Sequence, residues 1–551
     1  LAVNSNPVDV FQQGDNAALQ VDQQPTIPDE LRDDRTGPTI SPGPLADLGG
    51  DVGQKLIMNV PDLAPGDPQS VVDSMDEAMD RITQEILLML QNGKVLVVWL
   101  FDESESMRDE QQEIRDKVER VYRELGLLGA TQGDALLTAV ASYGRELHIH
   151  SRTPTHDVEQ IRRYIDMVPL DESGEEQQCF AVTTTIDFFS KFARQGRRQL
   201  ALIMVTDESG DPKSNFLGVE QAIQTARDNR CRIYVLGREA VFGYPHAYMR
   251  WTDPKTNITY WLQIDRGPET PFVEALQTQG LWRRHDAHPS GFGPYEQARM
   301  ARETGGVFFM LPSPEVQLVQ RDDRKYELAR LRPYMPSLES RQEYLRERDA
   351  SKLRTKLWEV ITLLNPLDEE RAKYVVMRHT FPIQREQYVP AMQQEMRKAM
   401  EYLRYLEQQE QALAALRAER SREIYPRWQA NFDLIQAQIV KYKVLVREYG
   451  ARLELFVREP KQQSIKPPRP NLTATHWDVR YVRAEQPLTG DLVRSDIQRS
   501  KEMFRKIIED HPGTPWAARA EIEMNGPYSV DIVQDWDDPR RNAPGTKLPK
   551  L

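Results

Sequence analysis

The sequence predicts an α/β fold, a doubly wound and mostly parallel sheet, followed by an α-helical region. Three observations carry that expectation. The runs "KVLVVWLFD" (94–102), "ALLTAVASYG" (135–144), "QLALIMVTD" (199–207), "CRIYVLG" (231–237) and "VFFML" (307–311) are almost wholly apolar, as strands covered on both faces are. Amphipathic stretches at 109–125, 155–167, 184–195, 217–229 and 294–304 fall between them, the alternation expected of a parallel sheet with helices on both sides. After 312 the strand-like runs stop and helical spacing takes over.

In chain order, residues 1–69 carry Pro, Gly, Gln and Asp with little apolar periodicity, and Asp29, Glu30, Asp33 and Asp34 face few basic residues. This reads as a disordered acidic arm. Val72, Met75, Met79, Ile82, Ile86 and Leu90 recur at helical spacing, so a helix is expected at about 70–92, leading into the first strand. The α/β unit then spans 70–312. "RELHIHS" (145–151) reads as a strand beside 135–144, and 169–182 as a polar loop. Between 238 and 293 lies an insertion crowded with Tyr244, Tyr248, Trp251, Tyr260, Trp261, Phe272, Trp282 and Phe292. Its segment "YMRWTDPKTNITYWLQI" reads as a hairpin turning around Asp253–Asn257. The insertion is either a small satellite core or a binding face. It leaves the carboxyl end of a strand, which would make it a wall or lid beside whatever binds there.

Residues 313–388 read as a helical connector. From 389, Met392, Met396, Ala399, Leu403, Leu406 and Leu413 keep a 4-3 repeat broken at Glu410. Trp428, Phe432, Ile435, Ile439, Tyr442, Val446, Tyr449, Leu453 and Phe456 keep it without a break. A seam held this long implies a supercoiled partner helix. The break at 420–425 suggests an antiparallel coiled-coil hairpin over 389–458, with an intermolecular coiled coil, and so self-association, as the competing reading. A Pro-rich linker (459–494) leads to 495–530, where two amphipathic helices flank His511-Pro512-Gly513-Thr514-Pro515. This pair resembles half of a tetratricopeptide-type repeat. One such unit cannot bury its own face, so it must dock on the chain or on a partner. Residues 531–551 read as a disordered tail.

The bulk properties narrow the function. At 551 residues the chain exceeds one ordinary core. A net charge of -12 argues against a nucleic-acid binder. Mean hydropathy is -0.63, and no run of about 18 apolar residues marks a membrane span. The chain starts at Leu1, which leaves a removed signal or anchor open. Cys179 and Cys231 are too few for a disulfide framework. They sit at opposite edges of the expected sheet, so they are expected to stay free.

The stretch "VVWLFDESESMRDE" (97–110) carries the chemistry. A buried strand runs straight into Asp102, Ser104 and Ser106 before a helix. Asp207 stands at the end of another strand, and Thr183-Thr184-Thr185 precede a helix. Ligands gather outside the carboxyl ends of such strands. Carboxylates, hydroxyls and waters in sixfold array suit a hard cation, Mg²⁺, Mn²⁺ or Ca²⁺. Each residue alone also reads as a helix cap. His246, His285 and His288 in the insertion make a poor zinc set.

Asp102-x-Ser104-x-Ser106, a later Thr before a helix, and Asp207 in a "TD" after a strand together resemble the metal-ion-dependent adhesion site of the von Willebrand factor type A domain family. "RETGGVFFM" (302–310) resembles that family's last helix and strand. The resemblance covers about 80–312 and implies a Rossmann-like sheet. It implies that Ser104 and Ser106 bind the metal by their hydroxyls, Thr183 directly or through water, and Asp102 and Asp207 largely through waters. One position would be left for an Asp or Glu carboxylate of a protein ligand. Two departures stand out. Ala181-Val182-Thr183 replaces the usual Gly-Gly-Thr, which makes Thr184 a substitute for Thr183, and Glu208 follows Asp207 where Gly is frequent.

No nucleophile elbow, Ser-His-Asp spacing or phosphate-binding glycine loop appears. The expected function is a non-enzymatic, divalent-cation-dependent binding or adhesion module. The layout is similar to bacterial proteins that join this domain to helical regions, which implies the cell envelope, periplasm or exterior, with the cytoplasm left open. The alternatives are an assembly scaffold with a vestigial cation site, and a metal-dependent hydrolase around Asp102, Asp207 and Glu208, with Glu208 or Glu103 as base.

Overall fold

The computed structural model describes residues 69–125, 134–284, 288–311, 326–459, 473–484, 486–542 and 548. The expected acidic arm, apart from Gln69, and nearly all of the Pro-rich stretch 459–471 lie outside them.

The strands of the first region are β1 (Gln69–Val71), β2 (Val95–Asp102), β3 (Leu136–Tyr143), β4 (Leu147–Ile149), β5 (Gln199–Val205), β6 (Cys231–Arg238), β7 (Ala247–Thr252), β8 (Thr259–Ile264) and β9 (Phe308–Leu311). Strands β7 and β8 form their own hairpin, and the rest form one sheet in the order β1-β9-β6-β5-β2-β3-β4. Every pair in that sheet is parallel except β3–β4. Strand β2 is central and all eight of its residues are buried. Its alternation feeds two cores. Val95, Val97, Trp99 and Phe101 pack with helices α1 (Met75–Gln91), α2 (Arg108–Glu124) and α3 (Val158–Ile165). Leu96, Val98 and Leu100 pack with α4 (Gln178–Gly196), α5 (Pro212–Asp228) and α6 (Tyr295–Thr304). Each such side chain contributes roughly 1.5–3 kcal/mol, so both faces hold the sheet in register.

Several boundaries differ from expectation; α5, for one, starts at Pro212, not 217. Residues 69–71 form an edge strand beside β9, and the first helix starts only at Met75, where the Ser74 hydroxyl accepts the Glu77 N–H. Helix α4 starts at Gln178, not 184. Cys179, Val182, Ile186 and Phe189 form one buried stripe against the sheet, and that packing outweighs the modest helix propensity of three consecutive threonines.

The second region comprises α7 (Leu328–Leu331), α8 (Arg341–Asp349), α9 (Lys352–Leu363), α10 (Glu369–Val375), β10 (Thr380–Pro382), α11 (Arg385–Ala414), α12 (Arg417–Arg422), α13 (Pro426–Arg458), β11 (His476–Val482), α14 (Asp491–Asp510), α15 (Pro515–Asn525) and β12 (Ser529–Asp535). Helices α11 and α13 run antiparallel: Tyr388 meets Phe456 edge to face, Glu407 pairs with Arg447 and Glu410 with Lys443. The 4-3 seam of α13 is filled by α11 within the same chain. The opposite face of α13 is buried as well, where Ala430, Leu434 and Ala437 meet Phe504, Ile507, Trp516 and Ala520 of the terminal helix pair. Helix α13 is therefore the central helix of a larger core, not one arm of a free coiled coil.

The linker and tail boundaries also need correction. Strand β11 lies within 459–494 and most of β12 within 531–551; β11 pairs antiparallel with β12 on one side and β10 on the other. Trp477, Val479, Val530 and Ile532 alternate inward onto the α11–α13 core, which is why these segments are ordered.

The insertion divides its aromatics between two tasks. Tyr244 and Tyr248 pack a small core with Ile264, and Tyr260 another with Ile258 and Leu262. Leu276, Leu281 and Trp282 instead join the helical core, where the Trp282 indole donates to Met377 O at 3.0 Å and Tyr442 OH to Thr278 O at 3.0 Å. Gly280, at φ +105°, allows this approach: a Cβ there would meet the Tyr442 ring at 2.9 Å. Both cysteines are buried and free. No helix among the described residues is long and apolar enough to cross a membrane.

Candidate functional site

Strands β2 and β5 are neighbours in register, Phe101 opposite Val205, so the residues just beyond them meet at the carboxyl edge of the sheet. The chain turns tightly after Asp102. The Ser104 N–H donates to Asp102 Oδ1 at 2.9 Å, and Thr206 Oγ1 donates to Asp102 Oδ2 at 2.7 Å. The Ser104 and Ser106 hydroxyls lie 3.1 Å apart, and Ser106 Oγ donates to Asp207 Oδ1 at 3.1 Å. Asp102 is fully buried, and Ser104 and Asp207 are each 7% exposed. Hydrogen bonds thus join Asp102, Ser104, Ser106 and Asp207 across two strand ends.

The capping alternative fails for these residues. Helix α2 is preceded by Met107 with no side-chain cap, so neither Asp102 nor Ser104 caps it. Helix α5 is capped by Asp211, whose carboxylate accepts the Ser214 N–H at 2.6 Å, not by Asp207.

Thr183 is placed differently from its expected partners. Because α4 begins at Gln178, Thr183 lies in the helix's second turn, and its hydroxyl donates to Cys179 O at 2.8 Å. Thr184 follows on the same helix and Thr185 is buried against the core. What the third connection brings to the edge is Glu176, two residues ahead of the helix. Glu176 is 7% exposed and lines a pocket with Asp102, Ser104, Gly144, Asp171, Gly174 and Glu175. Its Oε2 is buried without a hydrogen-bond partner. Its signal in the sequence is the acidic run Asp171-Glu172-Ser173-Gly174-Glu175-Glu176, whereas the resemblance points to a threonine.

The electrostatics of the cluster follow from its composition. Burial, then the Asp207 charge, pushes Asp102 up to about 7, against the pull of the Ser104 N–H and Thr206 hydroxyl. Burial, then Asp102, Glu208 and Asp207, pushes Glu176 well above the ordinary carboxylate range. Glu208 is 5% exposed and raised by burial, Asp207, Asp265 and Asp102 in turn. One of its oxygens accepts the Asp265 N–H at 3.2 Å and the other, Oε1, has no hydrogen-bond partner. The insertion therefore closes one side of the site: Asp265 O also accepts the Ser209 N–H and hydroxyl, and Asp265 pairs with His246. Glu103 points elsewhere, its Oε1 accepting the Ser142 hydroxyl at 2.5 Å and bonding His148 Nδ1 at 2.7 Å. It is committed to that network and not placed to serve as a hydrolytic base.

Buried like charges this close cannot all ionise unless a cation sits among them. Among the described residues no three His, Cys, Asp or Glu side chains are arranged to hold a metal by themselves. The arrangement offers something else: two adjacent hydroxyls backed by carboxylates, with orphaned carboxylate oxygens on Glu176 and Glu208. This all-oxygen donor set fits a hard divalent cation with waters in its shell.

Two crystal structures of proximal thread matrix protein 1 from the mussel byssus are similar in part, one of them described as having a zinc-occupied metal-ion-dependent adhesion site. They are 15% and 16% identical, with a TM-score of 0.22 each and 27% of this chain covered. This chain spans 38% of the length of each. No curated protein matches. The family model of the von Willebrand factor type A domain matches residues 97–246, from inside β2 to the start of the insertion, and the chain thus carries a domain of that family within a longer architecture.

Proposed function

We propose that the chain is a non-enzymatic, divalent-cation-dependent protein-interaction module. The observation that supports it is the continuous set of oxygen groups, Asp102–Ser104–Ser106–Asp207, joining two strand ends without capping either helix. In this reading the Ser104 and Ser106 hydroxyls ligate Mg²⁺ or Mn²⁺, and Asp102 and Asp207 orient its waters. A carboxylate of a protein partner completes the shell, as in the family the domain belongs to. The cation adds positive charge among buried acids that raise one another. Glu103, held by Ser142 and His148, does not stand ready as a general base, which favours binding over hydrolysis. The scaffold reading is favoured for the second region, whose helices bury their faces on one another and on the insertion.

The test is thermal unfolding of the full chain in chelator and in saturating Mg²⁺. At a hundredfold excess over the dissociation constant, binding to the folded state stabilises it by about 2.7 kcal/mol. The gain is expected in the wild type and absent in Asp102→Ala and in Ser104→Ala/Ser106→Ala. Equal unfolding of the wild type with and without Mg²⁺ or Mn²⁺ would end the cation reading.

A further inference from the structure

We infer that Glu176 is itself a ligand of the bound cation, filling the corner that the resemblance assigns to Thr183. The inference rests on the cation reading above and specifies its third contact. Its basis is geometric. Helix α4 reaches back to Gln178, which carries Thr183 into the second turn and ties its hydroxyl to Cys179 O. The loop before the helix instead delivers Glu176 into the pocket shared with Asp102 and Ser104. There a carboxylate oxygen is more than nine-tenths buried and has no hydrogen-bond donor. Buried carboxylate oxygens almost always find donors. One left without, in a pocket lined also by Asp102, Asp171, Glu175 and Ser104, is in the position of a ligand whose metal is its partner.

The substitution changes the character of the site. A threonine hydroxyl is neutral, whereas a carboxylate brings full charge into the shell, and ligand charge raises affinity for a hard cation. With Asp102, Asp207 and Glu208 close by, a divalent ion remains overcompensated even before a partner arrives. The chain therefore retains its cation by itself, and the partner's carboxylate joins a metal already bound.

The experiment is isothermal titration of the full chain with Mn²⁺ alone, for the wild type, Glu176→Gln, Thr183→Val and Ser104→Ala/Ser106→Ala, with unfolding in chelator as a second readout. Glu176→Gln is expected to weaken Mn²⁺ binding about tenfold or more, and Thr183→Val to leave it within about threefold. In chelator Glu176→Gln is expected to melt no lower than the wild type, because its carboxylate Oε2 has no hydrogen bond to lose. Retained Mn²⁺ affinity in Glu176→Gln, with loss in the serine variant, overturns the role of Glu176 and leaves the cation reading standing. Loss of binding in Thr183→Val also overturns it. A wild type that takes up no Mn²⁺ overturns both.

Discussion

Glu176 and Glu523 are both buried carboxylates, and their surroundings could hardly differ more. Glu523, on α15, is 5% exposed and receives Lys441 Nζ at 2.7 Å, Arg519 Nη2 at 2.9 Å, Tyr442 OH at 3.0 Å and Gln438 Nε2 at 3.1 Å. A second such knot joins the insertion to α13, where Arg427 pairs with Glu269 at 2.8 Å and Glu274 at 2.5 Å, all within 5% exposure. At the seam between the two regions the chain supplies its own counter-charges. At the sheet edge Asp102, Glu176, Asp207 and Glu208 face one another, and Glu208 stays raised despite Arg266. A buried ion costs several kcal/mol unless compensated. The proposed cation site rests on that contrast, between acids compensated within the chain and acids that face one another.

Cutting the seam gives the largest expected effect. Arg427→Met leaves Glu269 and Glu274 buried without their cation, and losing one partner of such a knot costs about 3–5 kcal/mol. Urea unfolding followed by tryptophan fluorescence should show the loss, with Mn²⁺ affinity unchanged. A loss under about 1 kcal/mol would mean the seam relaxes and hydrates, and the contrast between the two regions would weaken.

A medium effect lies in pH, where the two regions have opposite signs. Burial raises Glu523, but the Lys441 and Arg519 charges outweigh it and hold the group far below its ordinary 4.5. Its contribution is complete above that ordinary value and is lost as pH falls toward the folded value. Asp102 is raised from 3.8 to about 7. In cation-free protein its contribution is complete below 3.8 and lost as pH rises through about 7. Melting in chelator should therefore show an acid limb that Glu523→Gln flattens and a limb between about pH 4 and 7 that Asp102→Asn flattens. If Asp102→Asn leaves the second limb intact, the acids at the edge are not repelling one another.

The same contrast explains how much was legible in the sequence. The apolar runs of β2, β3, β5, β6 and β9 announced the sheet because strands buried on both faces have no polar alternation to confuse them. Asp102, Ser104, Ser106 and Asp207 were legible because strand ends set their place. Glu176 was not, because its position depends on where α4 begins, and that is decided by Cys179, Val182 and Ile186 packing on the sheet. The seam of α13 was visible as a 4-3 repeat, but Ala430, Leu434 and Ala437 on its other face are small or sparse enough to read as surface. Strands β11 and β12 carry plain alternation in "HWDVRYV" and "SVDIVQD". It was hidden by the prolines around them and by pairing that joins residues far apart in the chain.

The smallest expected effect sharpens the comparison most. Thr183 is half-buried in α4, and its hydroxyl satisfies only a carbonyl one turn back. Thr183→Val keeps the shape and removes a bond that competes with the helix rather than building it. Its stability in chelator should stay within about 0.5 kcal/mol of the wild type, and so should the increment that saturating Mg²⁺ adds. If instead the Mg²⁺ increment disappears while stability in chelator holds, Thr183 reaches the cation in the loaded protein. Side chains at the start of α4 must then shift toward the ion, but the helix need not unwind, because a hydroxyl that donates to the Cys179 carbonyl keeps lone pairs for a metal. The edge would in that case be built by the metal, whereas the seam, with its cations in the chain, is built by folding alone.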